Sequence, residues 1–341
     1  MIYITLKEYL NKCIHIANHQ NLKIIVSFHQ TSKSDSKLNY HFYSLPPRIF
    51  DNFLMCGFCN LKEEFILNIA KEFDSKIEFF LVDLEKKGIV GIDKQDKLIT
   101  GNLEGRLDEI VERKKILGIR FDSLTAEHVV NKLIKDNLFL YKRSILVIGL
   151  GKIGFKIALS LLECGNNVEV YSRNYKKTVE KCNCMDLLKP ESTLARPIIH
   201  SEIESSLINK DLIIMATNTE GLINSSNCKL INKNARIISI GHNELTQEAI
   251  KYFHENTNII FSRVDIGKSI INYVRRLLDK EEIIPKRKKY FNKFIVSGGY
   301  IGIPGDYIVD DADHPQLILG FIKEDGKFIR ELSIFEQEKF K

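Results

Sequence analysis

The sequence predicts an α/β protein with a doubly wound parallel sheet, a smaller N-terminal α/β domain and a β-rich C-terminal segment. Within residues 142–280, short apolar segments alternate with helical or polar ones, namely SILVIGL, NVEVYSR, DLIIMAT, ARIISIG and NIIFSRV. This alternation is typical of parallel strands with helices on both faces of the sheet. Within residues 281–341, closely spaced β-type segments are separated by Gly, Pro and the Asp325-Gly326 pair, as in hairpins.

Residues 1–120 are predicted to form the smaller domain. Helical periodicity over Leu6–Asn18 and Leu61–Phe73 alternates with the strand-like segments LKIIVSF and IEFFLVDL. Residues 121–141 are predicted to form a linking helix, because Asp122 or Ser123 suits an N-cap. The apolar residues predicted to share one face of this helix are Val129, Val130, Leu133 and Ile134.

Composition excludes several classes of protein. Hydrophobic residues make up 44% and charged residues 28% of the 341 residues, which is ordinary globular usage. Apolar runs are too short for a membrane span, and the N-terminus lacks a secretory signal, so we expect a cytoplasmic protein without a membrane partner. The net charge is +6, but the basic run Pro285–Lys289 lacks interleaved aromatic residues. We therefore expect a solvated loop there and no nucleic-acid partner.

Seven cysteines are an odd number, and without an export signal we expect reduced thiols. Cys56 and Cys59 form a CxxC pair. Cys182 and Cys184 could complete a four-sulfur zinc site with this pair if the fold brought the four residues together. The spacing of the second pair does not match a zinc knuckle. Buried small hydrophobic residues are the favoured interpretation, and no metal site is predicted.

A glycine-rich turn follows the first strand of residues 142–280. Gly149, Gly151 and Gly154 form GxGxxG directly after an apolar strand and open a helix through Lys152 and Ile153. In this context the glycines allow a tight turn, close approach to a diphosphate and close packing of helix on strand. The sequence therefore predicts a Rossmann domain that binds a dinucleotide, with a ligand-free glycine turn as the alternative.

The next strand decides which dinucleotide is expected. An NAD site usually places Asp or Glu at the strand end, whereas Glu169 lies inside this strand and Ser172, Arg173, Asn174 and Lys176 follow it. Hydroxyl, guanidinium and amide donors suit a 2′-phosphate. NADP(H) is therefore favoured as the cofactor, and NAD(H) stays possible because Arg173 could also stack on the adenine of either.

Four short motifs resemble the cofactor domain of adenosylhomocysteinase over about residues 121–267: FDSL, GLGKIG, MATNTEGLI and SIGHNE. The resemblance implies that Gly241 and His242 lie near cofactor and substrate. It implies the same for Thr217, Asn218 and Thr219. Residues 1–120 show no counterpart to that family's adenosine-binding segments. A looser resemblance to dipicolinate synthase and shikimate dehydrogenase-like enzymes implies a substrate domain, a linking helix and a Rossmann domain.

Catalytic candidates are side chains that can move a proton. His242 follows a strand at its C-terminal end, where an imidazole can act as acid or base; a helix cap with Asn243 and Thr246 is the alternative. Glu127 begins the linking helix, beside His128, and a solvated helical turn is its alternative.

Two other polar regions supply further candidates. Asp311 and His314 lie in the acidic segment GDYIVDDADHP, which could carry an acid/base pair or a metal, or form an acidic turn without function. His29 and His41 flank a polar N-terminal loop and could contact substrate from the opposite wall.

Together these features predict an NAD(P)-dependent oxidoreductase. We expect a small polar, anionic hydroxy/keto or amino/imino substrate in the cleft between domains, and a homodimer. Two alternatives stay open. One is an adenosylhomocysteinase-like enzyme that uses tightly bound NAD as an internal redox relay, and the other is a non-catalytic dinucleotide-binding sensor or assembly subunit.

Overall fold

The computed structural model divides the chain into two compact units, Met1–Val274 and Arg275–Lys341. The structure describes residues 2–29, 43–59, 61–84, 89–92, 98–100, 103–112, 115–136, 143–241, 243–278, 287–297, 302–325 and 327–329. Within these residues, no helix is both long and apolar enough to cross a membrane. The first unit contains two principal sheets, and each follows from its own hydrophobic pattern.

The N-terminal sheet has the strand order β2-β3-β1-β4-β7. Its elements are α1 (Ile2–His19), β1 (Lys23–His29), β2 (Tyr43–Phe50), β3 (Phe53–Cys59), α2 (Glu63–Phe73), β4 (Phe79–Asp83), β5 (Ile89–Ile92), β6 (Leu98–Thr100), α3 (Leu103–Asp108) and β7 (Ile116–Ile119). Strand β1 runs parallel to β3 and β4, β2 is an antiparallel edge, and β5 with β6 forms a separate ribbon. The later strands β3 and β4 lie on opposite sides of β1. A topological switch point therefore lies beside β1.

Helix α2 shows why the N-terminal domain packs as it does. Ile66, Ile69, Ala70 and Phe73 recur at the spacing of one helical face, and all four are buried. Strand β1 has five consecutive buried residues, and its alternate residues Ile24, Val26 and Phe28 pack in one core with α1 and α2.

The linking helix, α4 (Phe121–Lys135), differs in detail from its prediction. Arg120 is the N-cap residue, with no side-chain cap, and Asp122 lies inside the first turn, where it is buried. The buried stripe follows i, i+4 spacing and comprises Phe121, Asp122, Thr125, Ala126, Val129 and Leu133. Val129 and Leu133 are buried as predicted, whereas Ile134 is 53% exposed, so the buried face is rotated by about a fifth of a turn from the predicted one.

The second sheet has the order β10-β9-β8-β11-β12-β13, with every neighbouring pair parallel. Its elements are β8 (Ile145–Ile148), α5 (Lys152–Glu163), β9 (Val168–Tyr171), α6 (Tyr175–Leu188), β10 (Pro197–His200), α7 (Ile203–Leu207), β11 (Leu212–Met215), β12 (Arg236–Ser239), α8 (Gln247–Asn256), β13 (Ile260–Arg263) and α9 (Gly267–Leu278). Counted from β8, this is the 3-2-1-4-5-6 order of a Rossmann fold, which confirms the predicted fold class. The sixth strand, β10, was not predicted, because PIIH is short and lies at the sheet edge.

The second unit is a small, mainly antiparallel sheet, as its β-rich sequence predicted. Its strands β14 (Lys288–Tyr290), β15 (Lys293–Val296), β16 (Tyr307–Val309), β17 (Ile318–Ile322) and β18 (Phe328–Ile329) follow in sequence order. Only β15 and β16 pair in parallel among them. A compact core forms around Ile295, Val309 and Ala312.

Candidate functional site

A cavity of about 1020 Å³ lies within the first unit, at the C-terminal ends of strands from both sheets. This edge is where open α/β sheets bind ligands. The N-terminal half contributes Ser27, His29, Leu45, Pro46, Arg48, Met55, Cys56 and Cys59 to the lining. The start of α4 contributes Phe121, Asp122 and Thr125, and the Rossmann half contributes the ends of β8, β9, β11, β12 and β13.

The predicted glycine turn lines this cavity. Gly149 has a φ of +88°, which favours glycine, and a Cβ there would lie 2.6 Å from the Ala216 carbonyl oxygen. Gly154 is buried under the turn, where a Cβ would lie 2.0 Å from the Gly149 oxygen. Gly149 therefore lets the turn pass close to the end of β11, and Gly154 lets α5 pack closely against the turn.

Gly151 is the glycine that faces the ligand. It is the N-cap residue of α5, it lines the cavity with Lys152 and Ile153, and a Cβ there would meet nothing within 4 Å. The absent side chain leaves open space in front of the first-turn N–H groups, which carry the positive end of the helix dipole. The turn therefore fits the diphosphate of a dinucleotide.

Polar and basic side chains surround the end of β9. Ser172, Arg173, Asn174 and Lys177 line the cavity there, and the Asn174 side chain caps α6 by accepting from the Lys177 N–H at 3.0 Å. The neighbouring Lys176 is exposed and does not line the cavity, because successive helical residues point about 100° apart. Among the described residues that line the cavity at this strand end, none is Asp or Glu.

Glu169, the acidic residue of β9, is held inside the protein. Its Oε1 accepts from Lys210 Nζ at 2.6 Å and from Ser144 Oγ at 2.9 Å, while its Oε2 lies 2.6 Å from His200 Nε2. Burial raises the pKa of Glu169, but the hydrogen bonds from Lys210, His200 and Ser144 outweigh it and leave the pKa below its usual value. This carboxylate links β9 to His200 of the edge strand β10 and to Lys210, and it does not line the cavity.

The ends of β11 and β12 are tied together by Glu244, which is only 1% exposed. Its carboxylate accepts from the N–H groups of Thr217 at 3.1 Å and Gly241 at 3.2 Å and from Ser239 Oγ at 2.5 Å. Burial raises the pKa of Glu244 to about 7, against the lowering effect of these donors and of Arg263. The predicted cofactor residues Thr217, Asn218, Thr219 and Gly241 therefore come together at one cavity wall.

The wall from the N-terminal sheet was largely missed by sequence reasoning. His29 ends β1, and its ring packs on Phe121 with 3.8 Å between centroids. Its Nε2 lies 3.1 Å from Ser27 Oγ, which itself donates to the Cys56 carbonyl oxygen at 3.1 Å. The sequence singled out His29 only as a possible substrate contact, and no local motif marks Ser27. Phe121 opens the FDSL motif, which gave no indication of contact with His29.

An ion pair joins the two halves at the rim. Arg48 of β2 donates from one guanidinium nitrogen to both Asp265 oxygens, at 3.0 and 3.1 Å. Asp265 also accepts from the Gly267 N–H at 2.9 Å, and this bond, followed by the Arg48 guanidinium, lowers the pKa of Asp265. Both Arg48 and Asp265 line the cavity.

The predicted catalytic residues stay predictions. His242 and His41 lie outside the described residues. Glu127 is exposed on α4 and does not line the cavity. Asp311 and His314 are exposed residues of the second unit, where the Asp311 carboxylate accepts from the Asp313 N–H at 2.7 Å.

Acidic side chains of the second unit form ion pairs and hydrogen bonds with residues of the same unit. Asp306 pairs with Arg287 at 2.9 Å, Asp313 pairs with Lys288, and Asp310 accepts from the Leu317 N–H at 3.0 Å. No group of three or more His, Cys, Asp or Glu side chains within the described parts of the chain could hold a metal ion.

Comparison with known proteins gives one family match. A family model described as "Putative NAD(P)-binding" matches residues 137–259, which contain most of the Rossmann sheet. The chain therefore contains an NAD(P)-binding Rossmann-type domain. The model describes such domains in general, and the resemblance to adenosylhomocysteinase stays a prediction. No curated protein matches the sequence.

Solved structures show distant likeness. A shikimate dehydrogenase in complex with NADP⁺ is 15% identical over 72% of this chain and 85% of its own, with a TM-score of 0.40. Dipicolinate synthase A chain from Bacillus subtilis is 13% identical over 75% and 95%, with a TM-score of 0.37. L-tryptophan dehydrogenase from Nostoc punctiforme is 12% identical over 71% and 70%, with a TM-score of 0.41. The strand order itself remains the evidence for the fold.

Proposed function

We propose that this protein is an NADP(H)-dependent oxidoreductase that acts on a small polar, anionic hydroxy/keto or amino/imino substrate. The observation that carries the proposal is the end of β9, where Arg173 and Lys177 line the same cavity as the glycine turn. A 2′-phosphate is a dianion at neutral pH and gains charge-assisted hydrogen bonds from such groups. Glu169 is engaged with Lys210 and His200, so it does not oppose that charge.

Each part of the cavity would hold one part of the cofactor. The N–H groups of the first turn of α5 bind the diphosphate, with Gly151 leaving room for it. Arg173, Lys177 and Ser172 bind the adenosine phosphate. The wall that Glu244 organises, with Thr217 and Gly241, receives the nicotinamide end. When bound, this cofactor supplies hydride transfer. Substrate then occupies the remaining cavity, against the N-terminal wall.

Cofactor titration tests the proposal. NADPH and NADH are titrated separately into the full-length protein while nicotinamide fluorescence is followed. We expect NADPH to bind at least about 10-fold more tightly than NADH. Arg173→Ala and Lys177→Ala should each remove most of that preference and leave NADH affinity nearly unchanged, because NADH lacks the phosphate.

Lys176→Ala is the matched control, because Lys176 has the same charge, lies next to Lys177 and is exposed away from the cavity. We expect its affinity for NADPH to stay within about 2-fold of wild type, as for an exposed charge that does not line the cavity. Equal affinity for NADH and NADPH contradicts the NADP(H) assignment. NAD that copurifies and never exchanges contradicts the free-cofactor mechanism and supports an internal redox relay.

A further inference from the structure

We propose that His29 is the residue that exchanges the substrate's proton during hydride transfer, and that Ser27 is the positioning residue that fixes its tautomer. This inference rests on the proposed function and adds to it the group on the substrate side of the cavity. It comes from the wall built by β1 and β3, which carries no cofactor motif.

The position of His29 is the first support. It is the last residue of β1, beside the switch point of the N-terminal sheet, and it lines the cavity that the glycine turn also lines. It is the one imidazole among the described residues that line the cavity. An unperturbed imidazole is the side chain that titrates between about pH 5 and 8, so it can both accept and donate a proton.

Three other polar side chains of that wall are engaged elsewhere. Thr125 Oγ1 donates to the Phe121 carbonyl oxygen at 2.8 Å, and Arg48 pairs with Asp265. A hydrogen bond with Cys13 and burial both raise the pKa of Cys56 well above its usual value, so this thiol stays protonated. These groups are poor candidates for proton exchange near neutral pH.

A hydrogen-bond chain orients the imidazole. Ser27 has one hydroxyl proton and donates it to the Cys56 carbonyl oxygen, so Ser27 Oγ must accept from His29 Nε2–H. Neutral His29 therefore carries its proton on Nε2, and Nδ1 is the atom that takes up a second proton. The Phe121 ring, 3.8 Å away between centroids, supports the imidazole plane.

The niche for Ser27 depends on a glycine in the neighbouring strand. Ser27 is only 1% exposed and lies directly opposite Gly57 in the β1–β3 register. A Cβ at Gly57 would lie 2.1 Å from Ser27 Oγ, so any larger residue would displace this hydroxyl. The buried hydroxyl therefore has a place that only glycine allows, and its partners are the Cys56 carbonyl and His29.

The proton and electron balance is as follows for oxidation. The substrate carbon loses a hydride, with both electrons of the C–H bond, to the nicotinamide. The electron pair of the O–H or N–H bond on the substituent of that carbon becomes the second bond of C=O or C=N. The proton released from this bond passes to His29 Nδ1. In the reverse direction, His29 returns the proton to the new hydroxyl or amine.

The test uses the two redox forms of the cofactor and needs no substrate. Full-length protein labelled with ¹⁵N-histidine is titrated with acid and base in the presence of saturating NADP⁺ or NADPH, and the His29 resonances are assigned with His29→Gln. The oxidised nicotinamide carries one more positive charge than the reduced one. A positive charge near the imidazole disfavours its protonation, so the midpoint of the His29 titration should be lower with NADP⁺ than with NADPH, by about one pH unit.

Two controls accompany the titration. His254, which is exposed on α8 and does not line the cavity, should have the same midpoint with both cofactors. The nitrogen shifts of neutral His29 should show Nε2–H in wild type and a mixture of tautomers in Ser27→Ala. The wild-type titration stands even if Ser27→Ala does not fold.

The outcomes separate the two proposals. Equal His29 midpoints with NADP⁺ and NADPH, with both cofactors bound, overturn the role of His29 and leave the proposed function intact. Failure of both cofactors to bind overturns the proposed function, and with it the inference. An unchanged tautomer in folded Ser27→Ala overturns the positioning role of Ser27.

Discussion

The two strand ends that meet at the cavity, those of β8 and β1, are built on different principles. The end of β8 works through backbone, because Gly149, Gly151 and Gly154 make room for a turn, a ligand and a helix within six residues. The end of β1 works through side chains, because His29 is oriented by Ser27 and Phe121. A backbone site can be recognised in sequence by its glycines, whereas a side-chain site depends on neighbours that are distant in the chain.

The largest expected effect concerns the steric role of glycine at the end of β8. Gly154→Ala places a Cβ 2.0 Å from the Gly149 carbonyl oxygen, and backbone must move to relieve it. We expect a loss of about 3 kcal/mol in the free energy of unfolding. Urea denaturation followed by circular dichroism measures it.

Gly118→Ala is the matched comparison in the N-terminal sheet. Its Cβ would lie 2.7 Å from a methyl group of Leu84, a side chain that can turn away. We expect a loss of only about 1 kcal/mol. Equal losses for the two variants would contradict the distinction between backbone and side-chain contact.

The next effect separates ligand binding from folding. Gly151→Asp puts a carboxylate into open space at the N-terminus of α5, so the fold accepts it while the diphosphate is repelled. We expect NADPH affinity to fall about 100-fold, with an unchanged urea midpoint. Asn167→Asp, in an exposed loop beyond the other end of α5, adds the same charge and should leave the affinity unchanged. Unaltered binding by Gly151→Asp would place the cofactor elsewhere.

A third prediction tests the buried carboxyl of Glu244 behind the Rossmann wall. Its pKa is about 7 in the folded protein, against an ordinary value of 4.5. Between pH 4.5 and pH 7 the carboxyl is therefore protonated in the folded state and ionised in the unfolded state. The contribution to stability is therefore full below about pH 4.5 and is lost as the pH rises through 7.

Comparison of wild type with Glu244→Gln isolates this carboxyl from the other titrating groups. The free energy of unfolding of wild type minus that of the variant should fall by about 2.5 kcal/mol from pH 5 to pH 8. Urea denaturation at intervals of one pH unit provides the values. A difference that does not change with pH would show that Glu244 stays ionised.

The smallest effect concerns the ion pair that joins the two halves. Arg48 and Asp265 are 38% and 66% exposed, so Arg48→Gln should lower stability by less than about 1 kcal/mol. Lys23→Gln, which breaks the exposed pair with Glu78 within the N-terminal half, should have a similar effect. Only Arg48→Gln should also alter NADPH affinity, because Arg48 lines the cavity and Lys23 does not. If Arg48→Gln and Lys23→Gln had identical affinities for NADPH, the Arg48–Asp265 pair would be a structural contact without a role in cofactor binding.

Short-range constraints made much of the fold predictable. Strands β8, β9, β11 and β12 were readable as apolar segments because central strands are buried on both faces. The edge strand β13 was readable from the run Ile259–Phe261. Strand β10 was missed because Pro197–His200 is short and partly exposed. The buried face of α4 was misjudged because Asp122, a polar residue, lies inside it and faces the cavity.

The sequence by itself determined the Rossmann domain, its glycine turn and the basic end of β9, because each depends on residues within a few positions of one another. Only the tertiary structure decided the substrate side of the site. The phase of α6 decides that Lys177 lines the cavity and Lys176 does not. Ser27, Gly57 and Phe121 surround His29 through packing of separate elements. Such packing places side chains by distances in space, which the order of residues along the chain does not reveal.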